Sequence, residues 1–207
     1  MGKIVVSENV SVDGVVEDPT GEEGSERGGW FLRMTDADRE AFAVVELAEA
    51  RAASALLLGR RTDASFAPRW SSRTGAWAER LNGMPKYVVS STLSEPRWSA
   101  ATVLSGEVVA EVSALRRRVE GDIVVYASIR LVRTLLEHDL VDELRLIVHP
   151  VVVGAGERLV AGTDRARPWC LVDTRAVGTG LALLTYRPDR TAGDDDELSH
   201  SSPPVST

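Results

Sequence analysis

The chain has 207 residues, 43% of them hydrophobic and 27% charged, which fits one soluble globular domain able to bury a full core. Its formal charge of −7 argues against a nucleic-acid surface, and about −4 of that comes from five acids against one arginine between Asp189 and Thr207. Cys170 is single, so no intrachain disulfide can form; no apolar run approaches the ~20 residues of a membrane span, and Met1-Gly2-Lys3 leads directly into a strand pattern, so a cytoplasmic location is expected.

Ile4-Val5-Val6 opens as a buried strand, and Ser11 to Gly29, rich in Gly and Glu, reads as a long, polar, mobile loop. Thr35 is an N-cap for a helix to about Arg51, with Asp36 and Asp38 in its first turn. Phe42, Val45 and Glu49 share one side of it, and Val44 and Leu47 widen the apolar stripe. Leu56 to Leu58 is a strand, Arg60 to Phe66 a short helix stopped by Pro68, and Gly75 to Leu81 another helix. Strands follow at Lys86–Ser90, Thr102–Leu104, Asp122–Tyr126 and Glu143–His149, with helices at Glu107–Val119 and Ile129–Glu137 between them. Trp169–Ala176 and Leu181–Tyr186 form a hairpin about Gly178-Thr179-Gly180. Residues 1–188 make the domain, and 189–207, acidic and rich in Ser and Pro, are a disordered tail by composition.

Alternating strands and helices predict an α/β fold with a mostly parallel sheet covered on both faces. Ligands bind such sheets beyond the carboxyl ends of the strands. Three of those ends carry phosphate-compatible chemistry: Gly59-Arg60-Arg61-Thr62, Ser90-Ser91-Thr92, and Ala127-Ser128-Ile129-Arg130. A strand turning through glycine into a helix offers free N–H groups and the positive end of a dipole to an anion, and an arginine can clamp it. Cys170 and Trp169 read as core residues, and His149, ahead of Pro150, as a packed or hydrogen-bonded histidine. Trp30 and Trp70 stand in loop-like contexts where pocket wall and core are both open. Three dispersed histidines and one cysteine give no metal-ligand spacing.

Four segments in order carry a family resemblance: Gly59-Arg60-x-Thr62, Pro85-Lys86-Tyr87-Val88-Val89-Ser90-Ser91-Thr92-Leu93, Leu131-Val132-x-Thr134-Leu135-Leu136, and Val141-Asp142-Glu143-Leu144-Arg145-Leu146 running to His149-Pro150-Val151-Val152-Val153-Gly154-x-Gly156. Over about residues 3–187 the chain resembles the dihydrofolate-reductase-like proteins related to the reductase domain of the bifunctional riboflavin-biosynthesis deaminase/reductase. The resemblance implies a three-layer, mostly parallel mixed sheet with helices on both faces and a C-terminal antiparallel hairpin. It implies NADPH-dependent reduction of a small heterocyclic or imine-like substrate, and a homodimer. Arg60, Arg61 and Thr62 would hold cofactor phosphates, Ser90 and Ser91 would border the 2′-phosphate, and Tyr126, Ala127, Ser128, Ile129 and Arg130 would cradle the pyrophosphate. A catalytic carboxylate would come from the first helix, where Glu40 and Glu46 stand, or from Asp13 in the opening loop.

Two departures keep a second reading open. The resemblance implies glycines where Ala127 and Ile129 stand, so a β-branched residue falls where a positive φ is expected. Asp63 also brings a negative charge beside the phosphate turn. The alternative is a non-redox descendant of the same fold, binding a small molecule or catalysing a cyclisation or isomerisation; a third reading is an interaction module recruiting a partner through its acidic tail.

Overall fold

The polar run Ser7-Glu8-Asn9 does not end the first strand: β1 spans Lys3–Ser11, because both of its long edges find parallel partners. In chain order the remaining elements are α1 (Asp36–Ala52), β2 (Ala53–Gly59), α2 (Arg60–Ser71), α3 (Ala76–Gly83), β3 (Lys86–Val89), β4 (Ala101–Leu104), α4 (Val108–Arg118), β5 (Asp122–Tyr126), α5 (Ile129–Glu137), β6 (Glu143–His149), β7 (Trp169–Val177) and β8 (Leu181–Pro188). This computed structural model describes residues 1–160 and 165–190; the residues of the expected tail from 191 onward lie outside the described residues. The sheet has eight strands in the order β4-β3-β2-β5-β1-β6-β8-β7; the first six are parallel, and β8 runs antiparallel to both β6 and β7.

Each face of the sheet buries its own core. Ile4, Val6, Ile123, Val125, Ala55 and Leu57 point toward α4 and α5, which contribute Val112, Leu115, Leu131, Val132, Leu135 and Leu136. The pairs Leu131/Val132 and Leu135/Leu136 recur at a four-residue interval, so one stripe of α5 is buried. On the opposite face Leu56, Leu58 and Val124 meet Ala50, Ala67, Leu81, Met84 and Trp98. A smaller cluster of Phe42, Ile147, Val177, Leu181 and Leu183 attaches the hairpin to α1. Among the described residues no helix is long and apolar enough to cross a membrane.

Local departures from the sequence expectations have physical causes. Helix α2 continues through Pro68, since the carbonyl that loses its partner belongs to exposed Ala64 and the Ser72 hydroxyl donates to the Pro68 and Arg69 carbonyls to close the end. Val44 is 69% exposed and takes no part in the apolar stripe. Cys170 is exposed on edge strand β7, not packed as a small hydrophobe, whereas neighbouring Trp169 does pack against the main core. The opening loop is tied down rather than mobile. Buried Asp18 accepts from the Glu23 and Ser25 amides and Trp30 Nε1 donates to the Glu17 carbonyl at 3.0 Å.

Asp38 fastens the closing hairpin to the start of α1. Its carboxylate accepts from the Thr35 hydroxyl (2.7 Å), the Thr179 amide (2.6 Å) and hydroxyl (3.1 Å), and the Gly180 amide (3.0 Å). Gly178 has φ +65° and lies so close that a Cβ there would meet Asp38 Oδ1 at 2.3 Å, so glycine is required at this turn. These bonds to the charged form, led by Thr35, hold the Asp38 carboxyl at about 2, below its ordinary 3.8. Its contribution is therefore complete above pH 3.8 and lost as pH falls through about 2. Asp38→Ala is expected to lower Tm at pH 7 by thermal unfolding, and the gap from the parent should close as the acid limit is approached.

Candidate functional site

The carboxyl ends of β2 and β5 are joined by one hydroxyl. Ser128 Oγ accepts from the Gly59 amide at 3.0 Å and donates to Thr62 Oγ1 at 2.9 Å. The link forces the chain after β5 into a left-handed turn, with Ala127 at φ 50° and Ser128 at φ 60°, ψ 36°. The next residue, Ile129, begins α5 with helical backbone, and its side chain packs on the core. The strain expected at Ile129 thus falls on Ala127 and Ser128, and the branched side chain is directed away from the strand ends. No side chain caps α5, so its first amides are left for an anion, inside a left-handed to right-handed backbone change that gathers successive N–H groups.

Around this turn Arg60, Arg61 and Arg130 are exposed, while Thr62 is buried with its hydroxyl engaged by Ser128. Asp63 does not oppose an anion here. It is buried on the far side of α2, where its carboxylate accepts from the Arg97 and Trp98 amides at 2.8 and 3.1 Å. Ser90 sits at the end of β3 and accepts from the Leu93 amide at 3.1 Å, and Ser91 is exposed beside it. The glycine-bearing turn, the uncapped helix and these serines and arginines line adjacent strand ends. That group is chemically suited to a di- or triphosphorylated nucleotide.

A second set of groups gathers under α1. Tyr126 and Arg145 flank Ser7 in register on the face of the sheet that α1 covers. Arg145 binds Glu49 at 2.9 Å and Glu143 at 2.7 Å and reaches Asp122 at 3.4 Å. Glu46, one turn before Glu49, has no cation of its own: burial, and then the neighbouring Glu49 charge, push its carboxyl up from 4.5 to about 8. The Tyr126 phenol is pushed well above its usual range by the same burial and by Glu49 and Glu46. Its ring lies 5.6 Å from Trp77, which meets Trp70 edge-on at 6.1 Å, with Phe66 and Trp98 continuing the chain of rings. Of the residues expected in the pocket, Glu46 and Trp70 therefore reach one neighbourhood through Tyr126 and Trp77.

The other expected residues lie elsewhere. Asp13 accepts from the Val153 and Gly154 amides (3.0 and 2.8 Å) and from Ser11, which hold it at about 2, so it is an ionised staple between two loops and not a proton donor. Trp30 is 2% exposed and packs edge-on against His149 at 5.2 Å, so it is core and not pocket wall. His149 hydrogen-bonds Asn9 Oδ1 at 2.9 Å, and burial lowers it to about 4. Glu40 is exposed on α1. Sequence reasoning missed Glu8, a buried carboxyl on the opposite face whose Oε1 has no hydrogen-bond partner and which burial raises well above the carboxylate range. Its signal was a glutamate inside a central strand. Among the described residues no His, Cys, Asp and Glu cluster could hold a metal. A cavity of about 240 Å³ lies at the opposite edge, lined by Lys3, Asp142, Glu143, Arg187, Pro188 and Arg190. There Arg187 pairs with Glu143, which also binds Arg145, and Arg190 with Asp142.

Two substitutions test the turn after β5. Ala127→Gly removes a left-handed Cβ penalty of ~1–2 kcal/mol against a smaller loss of unfolded-state restriction, so a small rise in stability is expected. Ile129→Gly, within helix and core, is expected to cost about 2–4 kcal/mol in urea unfolding. Equal gains from both would mean that Ile129, too, is strained.

Residues 2–183 match the family described as the RibD C-terminal domain. A Bacillus subtilis protein, the uncharacterised YyaP, is 33% identical over 106 residues, which are 51% of this chain and 56% of that protein, so the chain spans little more than half the length of that relative. A proposed riboflavin biosynthesis protein from Shewanella sp. PV-4 superposes with a TM-score of 0.70 at 18% identity, covering 91% of this chain and 99% of the other. Enterococcus faecalis dihydrofolate reductase, solved with NADP(H) and the ligand RAB-propyl, gives a TM-score of 0.57 at 16% identity over 90% and 96% of the two chains. With the sheet order, the closing hairpin and the strand-end geometry in agreement, the chain belongs to the RibD C-terminal domain family and has the dihydrofolate-reductase-like fold.

Proposed function

We propose that this protein is an NADPH-dependent reductase of a small, flat substrate with a polarised double bond, heterocyclic or imine-like in the family manner. The observation that carries this reading is the uncapped start of α5 locked beside the Gly59–Thr62 turn by the Ser128 hydroxyl. The residues fit the cofactor: the amides of Ile129 and Arg130 face an anion without a competing side chain, and Ile129 leaves the space clear. Arg60, Arg61 and Arg130 would neutralise the phosphates, and Ser90 and Ser91 would border the 2′-phosphate. When bound, the nicotinamide supplies hydride.

The chain's own task is then to hold two rings together, exclude water and deliver a proton. Glu46 is suited to the last of these. A carboxyl held at about 8 keeps its proton at neutral pH, and Glu49, Tyr126 and, through Glu49, Arg145 face it from the helix and the sheet. Glu49, paired with Arg145 at 2.9 Å, places a negative charge beside Glu46 that discourages its ionisation.

Titration with NADPH, followed by tryptophan fluorescence with NADH as control, tests the cofactor. Micromolar binding that prefers NADPH is expected, and absence of binding at millimolar cofactor would return the protein to the non-redox alternative. Glu46→Gln should cost about 10²–10⁴-fold in turnover and remove a fall in rate above pH 8. The same variant should be more stable than the parent. Below pH 4.5 the carboxyl is protonated in folded and unfolded chains alike, and from there to about 8 the folded state alone must retain the proton. Stability tied to Glu46 therefore falls as pH rises across that window, and the gain from Glu46→Gln should grow to about 2–3 kcal/mol by pH 8.

A further inference from the structure

Asn9 is held by one side of its amide and open on the other. It lies on β1 beyond the last pair with β5, Ser7 with Tyr126, where the β5 chain turns away through Ala127 and Ser128. Alternation along β1 puts its side chain on the same face as Ser7, the face that α1 covers. There its Oδ1 stands 2.9 Å from Nε2 of His149. An amide oxygen only accepts, so this ring nitrogen carries the proton and donates. The imidazole is itself fixed: it is 2% exposed and walled by Trp30, Phe31 and Phe42 at ring separations of 5.2, 5.3 and 6.4 Å. Asn9 Nδ2 has no acceptor among the described residues, and in this half-buried side chain it is the atom open to solvent.

The strand order decides what such a donor meets. β5 stands between β2 and β1, and β3 lies beyond β2. On the reductase reading, on which this inference rests, the pyrophosphate sits at the start of α5 and the adenosine end runs toward Ser90 and Ser91 after β3. The nicotinamide end then runs the other way, over β1. Of the other polar side chains that β1 turns to this face, Ser11 is spent on Asp13 and the Val15 amide, and Ser7 lies further from the strand end, between Tyr126 and Arg145. We propose that Asn9 Nδ2 donates to the carboxamide oxygen of the nicotinamide ring, and that His149 is a positioning residue that keeps this donor turned outward. An amide pinned in this way loses little freedom on binding and presents only a donor. The contact fixes the rotation of the ring about its bond to ribose, and so which face of the ring is offered to the substrate.

Isothermal titration calorimetry at pH 7 with NADPH, its reduced 3-acetylpyridine analogue and adenosine 2′,5′-bisphosphate tests the contact, with thermal unfolding to establish that each variant is folded. The analogue keeps the carbonyl oxygen and carries a methyl group in place of the amide nitrogen; the bisphosphate lacks the nicotinamide half. Asn9→Ala is expected to weaken NADPH about fivefold and His149→Phe about threefold, with the bisphosphate unchanged within about twofold. Asn9→Asp keeps an oxygen for His149 and turns an acceptor outward. The NADPH amide can rotate to donate to that oxygen and the methyl ketone cannot, so the affinity of the analogue relative to NADPH should fall at least about tenfold from its value in the parent. An unchanged ratio in Asn9→Asp, full NADPH affinity in folded Asn9→Ala or His149→Phe, or a loss shared equally by the bisphosphate would overturn the proposal and leave the reductase reading intact. A parent that binds neither dinucleotide would remove the reductase reading and the inference with it.

Discussion

The Ser128 hydroxyl is the contact on which the geometry of the strand ends depends. Strands β2 and β5 are neighbours, yet each turns at its carboxyl end into a helix on a different face of the sheet, α2 beside one core and α5 over the other. Nothing in ladder pairing keeps those two exits together once the strands stop. The bonds from the Gly59 amide and to Thr62 do so, and they require a left-handed residue at Ser128, which leaves α5 without a side-chain cap. A local backbone cost and an open helix start are one arrangement, and strain of this kind concentrates where ligands bind.

The sheet thus presents two unlike surfaces, one at the carboxyl ends of its strands and one under α1, where Arg145 meets Asp122 and Glu143, the first residues of β5 and β6. On one side backbone amides and arginines favour negative charge. On the other, α1 lays two glutamates over the sheet, and their difference comes from a single neighbour. Glu49 has Arg145 and is an ordinary ion-pair partner; Glu46 has no such partner, and burial keeps it neutral. Arg145 pairs with Glu49, and the Glu49 charge adds to the burial that raises the Glu46 carboxyl. Asp63 and Asp13, which look like equivalents of these acids in the sequence, are spent on backbone amides and hold loops in place.

Periodicity and turn chemistry made the fold legible. Apolar strands, the Thr35 cap, the Gly178–Gly180 turn and four ordered motifs led to the observed sheet, because each is a local preference that the tertiary structure keeps. Errors arose where a long-range partner decides. The first strand reads only as Ile4-Val5-Val6, but β5 and β6 pair on either side of it and extend it from Lys3 to Ser11; Pro68 reads as a helix stop, but the carbonyl it strands faces water. Near the strand ends, the passage from strand through Gly59 into a helix starting at Arg60 was legible from the strand–glycine–helix pattern. Of the two positions expected to bend, Ala127 does so, and the second falls on Ser128 in place of Ile129, since only the Ser128 bonds to Gly59 and Thr62 reveal it. Of the candidate carboxylates Asp13, Glu40 and Glu46, only structure shows that Asp13 is bound to backbone amides, that Glu40 is exposed and that burial raises Glu46.

Strand β1 lies between β5 and β6, so both of its partners come from residues 122–149, more than a hundred positions later in the chain. At the ~5–20 residues per second of synthesis, its apolar Ile4-Val5-Val6 run stays without partners for roughly 6–24 s. Such a strand is a template for pairing with other chains until its own neighbours emerge. The charged and polar Ser7-Glu8-Asn9 directly after that run interrupts the template. A buried carboxyl that gains nothing from its surroundings in the finished fold thereby protects the nascent chain during the interval when the centre of the sheet is exposed.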